Sequence, residues 1–123
     1  MQDKRLLICD DEPAFGRLVC NVAEDLGYSV RVTNGGRVFI EAYESFRPST
    51  IVLDMIMPGM DGNELVLWLA RQEATARLII ISGFNPDYAA NAKALAEYKG
   101  LGPVVTLQKP VDLADLREAL GSS

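Results

Sequence analysis

Four points along the 123-residue chain place a chemically active side chain directly after a short apolar run. Asp10, Asp11 and Glu12 follow Leu6–Cys9, and Asp54 follows Ile51-Val52-Leu53. Ser82 and Gly83 follow Leu78–Ile81, and Lys109-Pro110 comes just after Val104–Leu107. Each taken singly has a plain explanation: acids favour the start of a helix, serines occupy turns and lysines sit on surfaces. Asp54 resists that treatment, because it continues an apolar run without a break. If the runs are parallel strands, all four groups share one rim. Carboxylates gathered there repel one another, and one lysine leaves them short of neutrality. Oxygen ligands with excess negative charge suit a hard divalent ion, Mg2+ above all. Such a setting neutralises an arriving phosphoryl group. Asp54 is then the nucleophile of an aspartyl phosphate. Lys109 and the Ser82 hydroxyl contact phosphate oxygens, and Gly83 leaves room for close approach to the backbone N–H.

The elements that must bring these groups together are legible in the same runs. Leu6–Cys9, Ile51–Leu53 and Leu78–Ile81 are continuously apolar, as in parallel strands covered on both faces. Tyr28–Thr33 alternates, with Tyr28, Val30 and Val32 apolar, and reads as an edge strand; Val104–Leu107 is a fifth, weaker one. Between them, Phe15, Leu18, Val19, Val22 and Leu26 stripe a helix stopped by Gly27. Phe39, Tyr43 and Phe46 stripe a second that ends before Pro48. Leu65, Trp68 and Leu69 stripe a third, begun by the near capping box Asp61-Gly62-Asn63-Glu64. An alanine-rich fourth runs from about Asp87 to Lys99, and a fifth carries Leu113, Leu116 and Leu120. The aromatic residues read as core, with no cofactor box among them. Five βα units predict one α/β domain over residues 1–123, a doubly wound flavodoxin-like sandwich with a five-stranded parallel sheet in the order 2-1-3-4-5. Ligands of such sheets bind at the carboxyl ends of the strands, near the switch between the first and third.

Composition narrows the function. Net charge is −5 and no basic run occurs, which argues against direct nucleic-acid binding. No apolar stretch approaches a membrane span or a signal peptide, so a soluble, cytoplasmic protein is expected. The two cysteines, Cys9 and Cys20, read as small core residues.

Together, Asp10-Asp11-Glu12-Pro13, Asp54-Met55-Ile56-Met57-Pro58-Gly59-Met60-Asp61-Gly62, Ser82-Gly83 and Lys109-Pro110 resemble bacterial two-component receiver domains, of the chemotaxis-regulator type, along the whole chain. The resemblance implies that Asp54 accepts a phosphoryl group from a histidine kinase or a histidine phosphotransfer protein. It implies Mg2+ held by Asp11, Asp54 and the Ile56 carbonyl, with Asp10 acting through bound water. Ser82 becomes the switch hydroxyl and Lys109 the phosphate partner, across a cis Lys109-Pro110 bond. The chain has no histidine, so the donor is another protein. The implied role is signalling, with self-phosphorylation and autodephosphorylation as the only chemistry. An unidentified output domain or partner follows, and a homodimer formed on phosphorylation stays open, as does whether the natural chain continues past Ser123. One departure stands out: Thr106 occupies the position where many receivers carry a switching aromatic ring. Too small to fill that space, it directs the expected response to the loop after Ser82, where Phe84 is either the mover or a fixed lid that screens the site from water. Two other classes share parts of the pattern. A flavodoxin-type FMN carrier needs a phosphate cradle where this chain has three acids, and a haloacid-dehalogenase-type phosphohydrolase needs Asp where Glu12 stands. A phosphorylation-independent docking module of the same fold is the remaining alternative.

Overall fold

The computed structural model describes residues 4–55, 61–83 and 86–121. Strands and helices alternate: β1 (Arg5–Cys9), α1 (Pro13–Asp25), β2 (Ser29–Thr33), α2 (Gly36–Phe46), β3 (Thr50–Asp54), α3 (Gly62–Arg71), β4 (Arg77–Ser82), α4 (Pro86–Tyr98), β5 (Val104–Gln108) and α5 (Leu113–Gly121). All pairings are parallel, and the strand order is β2-β1-β3-β4-β5.

The continuous apolar runs are explained by two cores, one on each face. Alternate residues of the central strands point to opposite sides. Leu7, Cys9, Ile51, Leu53, Leu78 and Ile80 pack under α2, α3 and α4. Leu6, Ile8, Val52, Ile79 and Ile81 pack under α1 and α5. Tyr43 on α2 meets Trp68 on α3 edge to face, 5.2 Å between ring centres, both half-buried against the core. Tyr98, the last residue of α4, is 86% exposed, so the aromatic residues are not all core as expected.

Helix ends follow the expected local chemistry. Gly27 takes φ +94°, a conformation that Cβ-bearing residues rarely adopt, and ends α1. The Asp61 carboxylate accepts the Glu64 N–H at 3.0 Å and caps α3. Three carboxyl ends receive cations from strand starts. Lys4 Nζ donates to the Leu26 carbonyl at 3.1 Å, Arg5 Nε to that of Arg47 at 2.8 Å, and Arg77 Nη2 to that of Ala119 at 2.6 Å. Such pairs offset the negative ends of the helix dipoles. A cavity of about 890 Å³ opens at this rim and is lined by these same cations. Their engagement with helix ends accounts for the positive charge there.

Periodicity misplaced several side chains. Val32 is 46% exposed, because the edge position of β2 leaves it covered mainly by α1 at Gly16, which offers no side chain. Leu18 and Leu113 lie on the apolar stripes of α1 and α5, yet are 36% and 50% exposed. Cys9 is buried as expected, with its thiol pushed up to about 12 chiefly by burial. Cys20 is only half-buried on α1 and is no core residue.

The residue after Asp54 is pinned from above. Met55 is fully buried, and its carbonyl accepts the Gly62 N–H at 3.0 Å. A Cβ on Gly62 would lie 2.5 Å from Met55 Sδ and 3.0 Å from Met55 Cα. Gly62→Ala is therefore expected to destabilise the fold by about 1–3 kcal/mol, as overpacking does. Chemical denaturation checks this, and an unchanged midpoint would show that Met55 yields freely.

Candidate functional site

Parallel pairing sends every strand's carboxyl end to one rim. The switch between β1 and β3, whose crossovers run to opposite faces, opens the crevice where ligands collect. β1 delivers Asp10, β3 delivers Asp54, β4 delivers Ser82, and β5 leads into Lys109. Backbone hydrogen bonds hold these ends in register. Asp10 N–H donates to the Thr33 carbonyl at 3.0 Å, Met55 N–H to that of Ile81 at 3.0 Å, and Lys109 N–H to that of Ser82 at 2.8 Å. The Lys109-Pro110 bond is cis.

Carboxylate oxygens of Asp10, Asp11 and Asp54 lie within 4.8 Å of one another. Asp10 is 2% exposed and Asp54 6%, while Asp11 is open to solvent. Among the described residues, one ammonium stands between them. Lys109 Nζ lies 3.4 Å from Asp54 Oδ2, 3.5 Å from Asp10 Oδ2 and 3.6 Å from Glu12 Oε1. Its other side faces the Phe15 ring, 4.7 Å from the centroid. Burial alone would lower the Lys109 pKa, but Asp54, Asp10 and Glu12 together outweigh it and hold the ammonium above its ordinary value. The lysine is charged, and it is shared three ways.

Asp10 shows the resulting deficit. Its Oδ1 accepts the Glu12 N–H at 2.8 Å, but its buried Oδ2 has no hydrogen-bond donor. Burial, and then the Asp54 charge, push its carboxyl up to about 6 against the hydrogen bond and Lys109. An undonated buried oxygen beside two further carboxylate oxygens, with one cation for all, is a donor set that fits a hard divalent ion. Asp11, Glu12, Phe15, Asp54, Gly83 and Lys109 line a cavity of about 800 Å³ at this rim, completed by the apolar Ala14, Leu18, Pro110 and Val111.

The geometry brings together Asp10, Asp11, Asp54 and Lys109, and places Gly83 on the same cavity wall. Ser82 is buried at the end of β4, its carbonyl tied to Lys109. Ile56 and Phe84 lie outside the described residues. Thr106 sits midway along β5 opposite Ile80, with an exposed side chain. Two members escaped the sequence pattern. Glu12, given no role there beyond its place at the rim, contributes a third carboxylate to Lys109; its position directly after the aspartate pair was the available signal. Phe15, assigned to the core stripe, is buried as that stripe requires but also forms the seat under the ammonium.

The chain resembles known proteins throughout its length. A family model described as the response regulator receiver domain matches residues 6–121. The sporulation initiation phosphotransferase F of Bacillus subtilis is 28% identical over 120 residues, covering 98% of this chain and 93% of that protein. The positive alginate biosynthesis regulatory protein of Pseudomonas aeruginosa is 33% identical over 118 residues, covering 94% of this chain but 45% of its own length. Several other curated relatives are likewise longer proteins of which the chain spans only part. Among solved structures, a chemotaxis response regulator of Vibrio cholerae superposes with a TM-score of 0.80 at 22% identity, covering 97% of each chain.

A carboxyl group raised from 3.8 to about 6 favours the protonated folded state. Its contribution is fully present below its unfolded value and is lost as pH rises through about 6. Without divalent ions, Asp10→Asn is therefore expected to be more stable than the parent at pH 7, by about 1–3 kcal/mol. The difference should close near pH 4, where Asp10 is protonated in the parent. Urea melts at the two pH values measure it, and a clearly destabilised Asp10→Asn at pH 7 would contradict the charge deficit.

Proposed function

Because the chain belongs to the response regulator receiver family and so serves two-component phosphorelay signalling, we propose that Asp54 is its phosphoacceptor and that Asp10 and Asp11 join it in holding Mg2+. One observation carries this reading: Asp54 lines the cavity at the centre of the strand-end rim, 3.4 Å from the one ammonium shared by the carboxylates there. Asp10 is a poorer nucleophile, with one oxygen bonded to the Glu12 N–H and both sealed from solvent. Asp11 is exposed and lies at the mouth of α1. Asp54 combines access with a rigid base, the last residue of a strand hydrogen-bonded on both sides.

In the reaction, an oxygen of the Asp54 carboxylate forms a bond to the incoming phosphorus. The bond from phosphorus to the donor histidine nitrogen breaks, and its electron pair stays with the imidazole. When bound, the divalent ion supplies positive charge against the phosphoryl oxygens. Lys109 is placed to move from its shared position onto a phosphoryl oxygen, since that oxygen carries the new negative charge. Ser82 and Gly83, at the end of β4, offer a hydroxyl and a backbone N–H toward the same group. The Ser82 hydroxyl gains a charge-assisted hydrogen bond only in the phosphorylated state, which biases the chain toward a second conformation. Hydrolysis of the acyl phosphate resets it. A histidine kinase or a histidine phosphotransfer protein supplies the phosphoryl group, and a partner or attached output domain reads the change.

With Mg2+ and acetyl phosphate, the intact protein is expected to gain a single phosphoryl mass, and Asp54→Asn none. Intact-mass spectrometry reads both. Equal labelling of the two proteins would remove Asp54 from its role. No labelling of either, also from a phosphohistidine donor, would favour a docking module that works without phosphorylation.

A further inference from the structure

We propose that Phe15 is a positioning residue for Lys109: its ring face holds the ammonium midway among the carboxylates and keeps it available to the phosphoryl group. This rests on the reading of Asp54 as acceptor. The distances carry the argument. A lysine free to choose among three carboxylates would close on one of them, at the 2.7–2.9 Å typical of a charge-assisted hydrogen bond. Lys109 Nζ instead stands 3.4, 3.5 and 3.6 Å from Asp54, Asp10 and Glu12, almost equidistant. The fourth direction is closed by Phe15, whose ring centre lies 4.7 Å from Nζ.

The face of an aromatic ring carries partial negative charge and attracts a cation without forming a hydrogen bond to it. It therefore fixes the position of the ammonium while leaving its N–H groups for oxygen acceptors. A carboxylate in the same place would compete with the phosphoryl group, and an aliphatic side chain would leave the four-carbon stem mobile. The ring is itself held rigidly. Phe15 is 7% exposed, on the first turns of α1, in the core beneath that helix. It also forms part of the wall of the cavity that Asp54 and Gly83 line, so its face borders the reacting space.

Phe15→Leu keeps an apolar core residue and removes the ring face; Phe15→Tyr keeps both. The rate of labelling by acetyl phosphate in Mg2+ is expected to fall roughly threefold to tenfold in Phe15→Leu, the range that loss of a partly buried cation–π contact gives. In Phe15→Tyr it is expected to stay near the parent rate. A second readout does not depend on phosphorylation. The Lys109 side-chain nitrogen resonance, assigned by its loss in Lys109→Met, should move in Phe15→Leu and hold in Phe15→Tyr. A parent rate in Phe15→Leu, or an equal slowing in both variants, would overturn the proposal. So would a slow Phe15→Leu with an unmoved Lys109 resonance, which would make Phe15 a packing residue only. Labelling of Asp54→Asn at the parent rate would instead defeat the acceptor reading, and the resonance would still report whether the ring seats the lysine.

Discussion

One ammonium serves too many carboxylates, and the rest of the site follows from that shortage. Asp10, Asp11, Asp54 and Glu12 gather at the strand ends, and Lys109 approaches three of them without pairing fully with any. Fixed negative charge of this density in a partly buried setting is costly unless positive charge arrives. The cost is what makes the site responsive. In the proposed reading, a divalent ion would relieve it, and an arriving phosphoryl group would find the Lys109 ammonium already in place. An acidic cluster with a full complement of lysines would be more stable and would have less reason to bind anything.

The fold sustains this by separating charge between its two rims. Helix amino ends and strand carboxyl ends lie together at the site, so α1 begins directly after Asp10-Asp11-Glu12 and its positive end faces them. At the other rim, Lys4, Arg5 and Arg77 meet the carboxyl ends of α1, α2 and α5. Each rim thus carries the side-chain charge opposite to its helix dipoles. Among the described residues, no helix is long and apolar enough to cross a membrane.

Much of this architecture was legible in the sequence because parallel strands buried on both faces leave unbroken apolar runs. Leu6–Cys9 and Leu78–Ile81 are such runs, and the residues that end them had to share a rim once the order β2-β1-β3-β4-β5 was set. Asp54 was conspicuous for the same reason. What periodicity could not supply was the identity of each neighbour. Phe15 has the right phase for the core, and the pattern does not say that an ammonium lies over its ring. Val32 has the phase of a buried residue, but the small Gly16 opposite leaves it half-open. Glu12 was visible at the rim but its partner was not, because that depends on where the Lys109 side chain reaches, which is set by β5, some hundred residues away in the chain.

On this view the carboxylates form a single cation site whose charge deficit drives binding. Calorimetric titration with Mg2+ tests it most directly. One ion per chain is expected, with affinity at least roughly tenfold weaker in Asp11→Asn and in Asp54→Asn, each of which removes a charged ligand. Affinity unchanged by either substitution, or no binding by the parent protein, would contradict it.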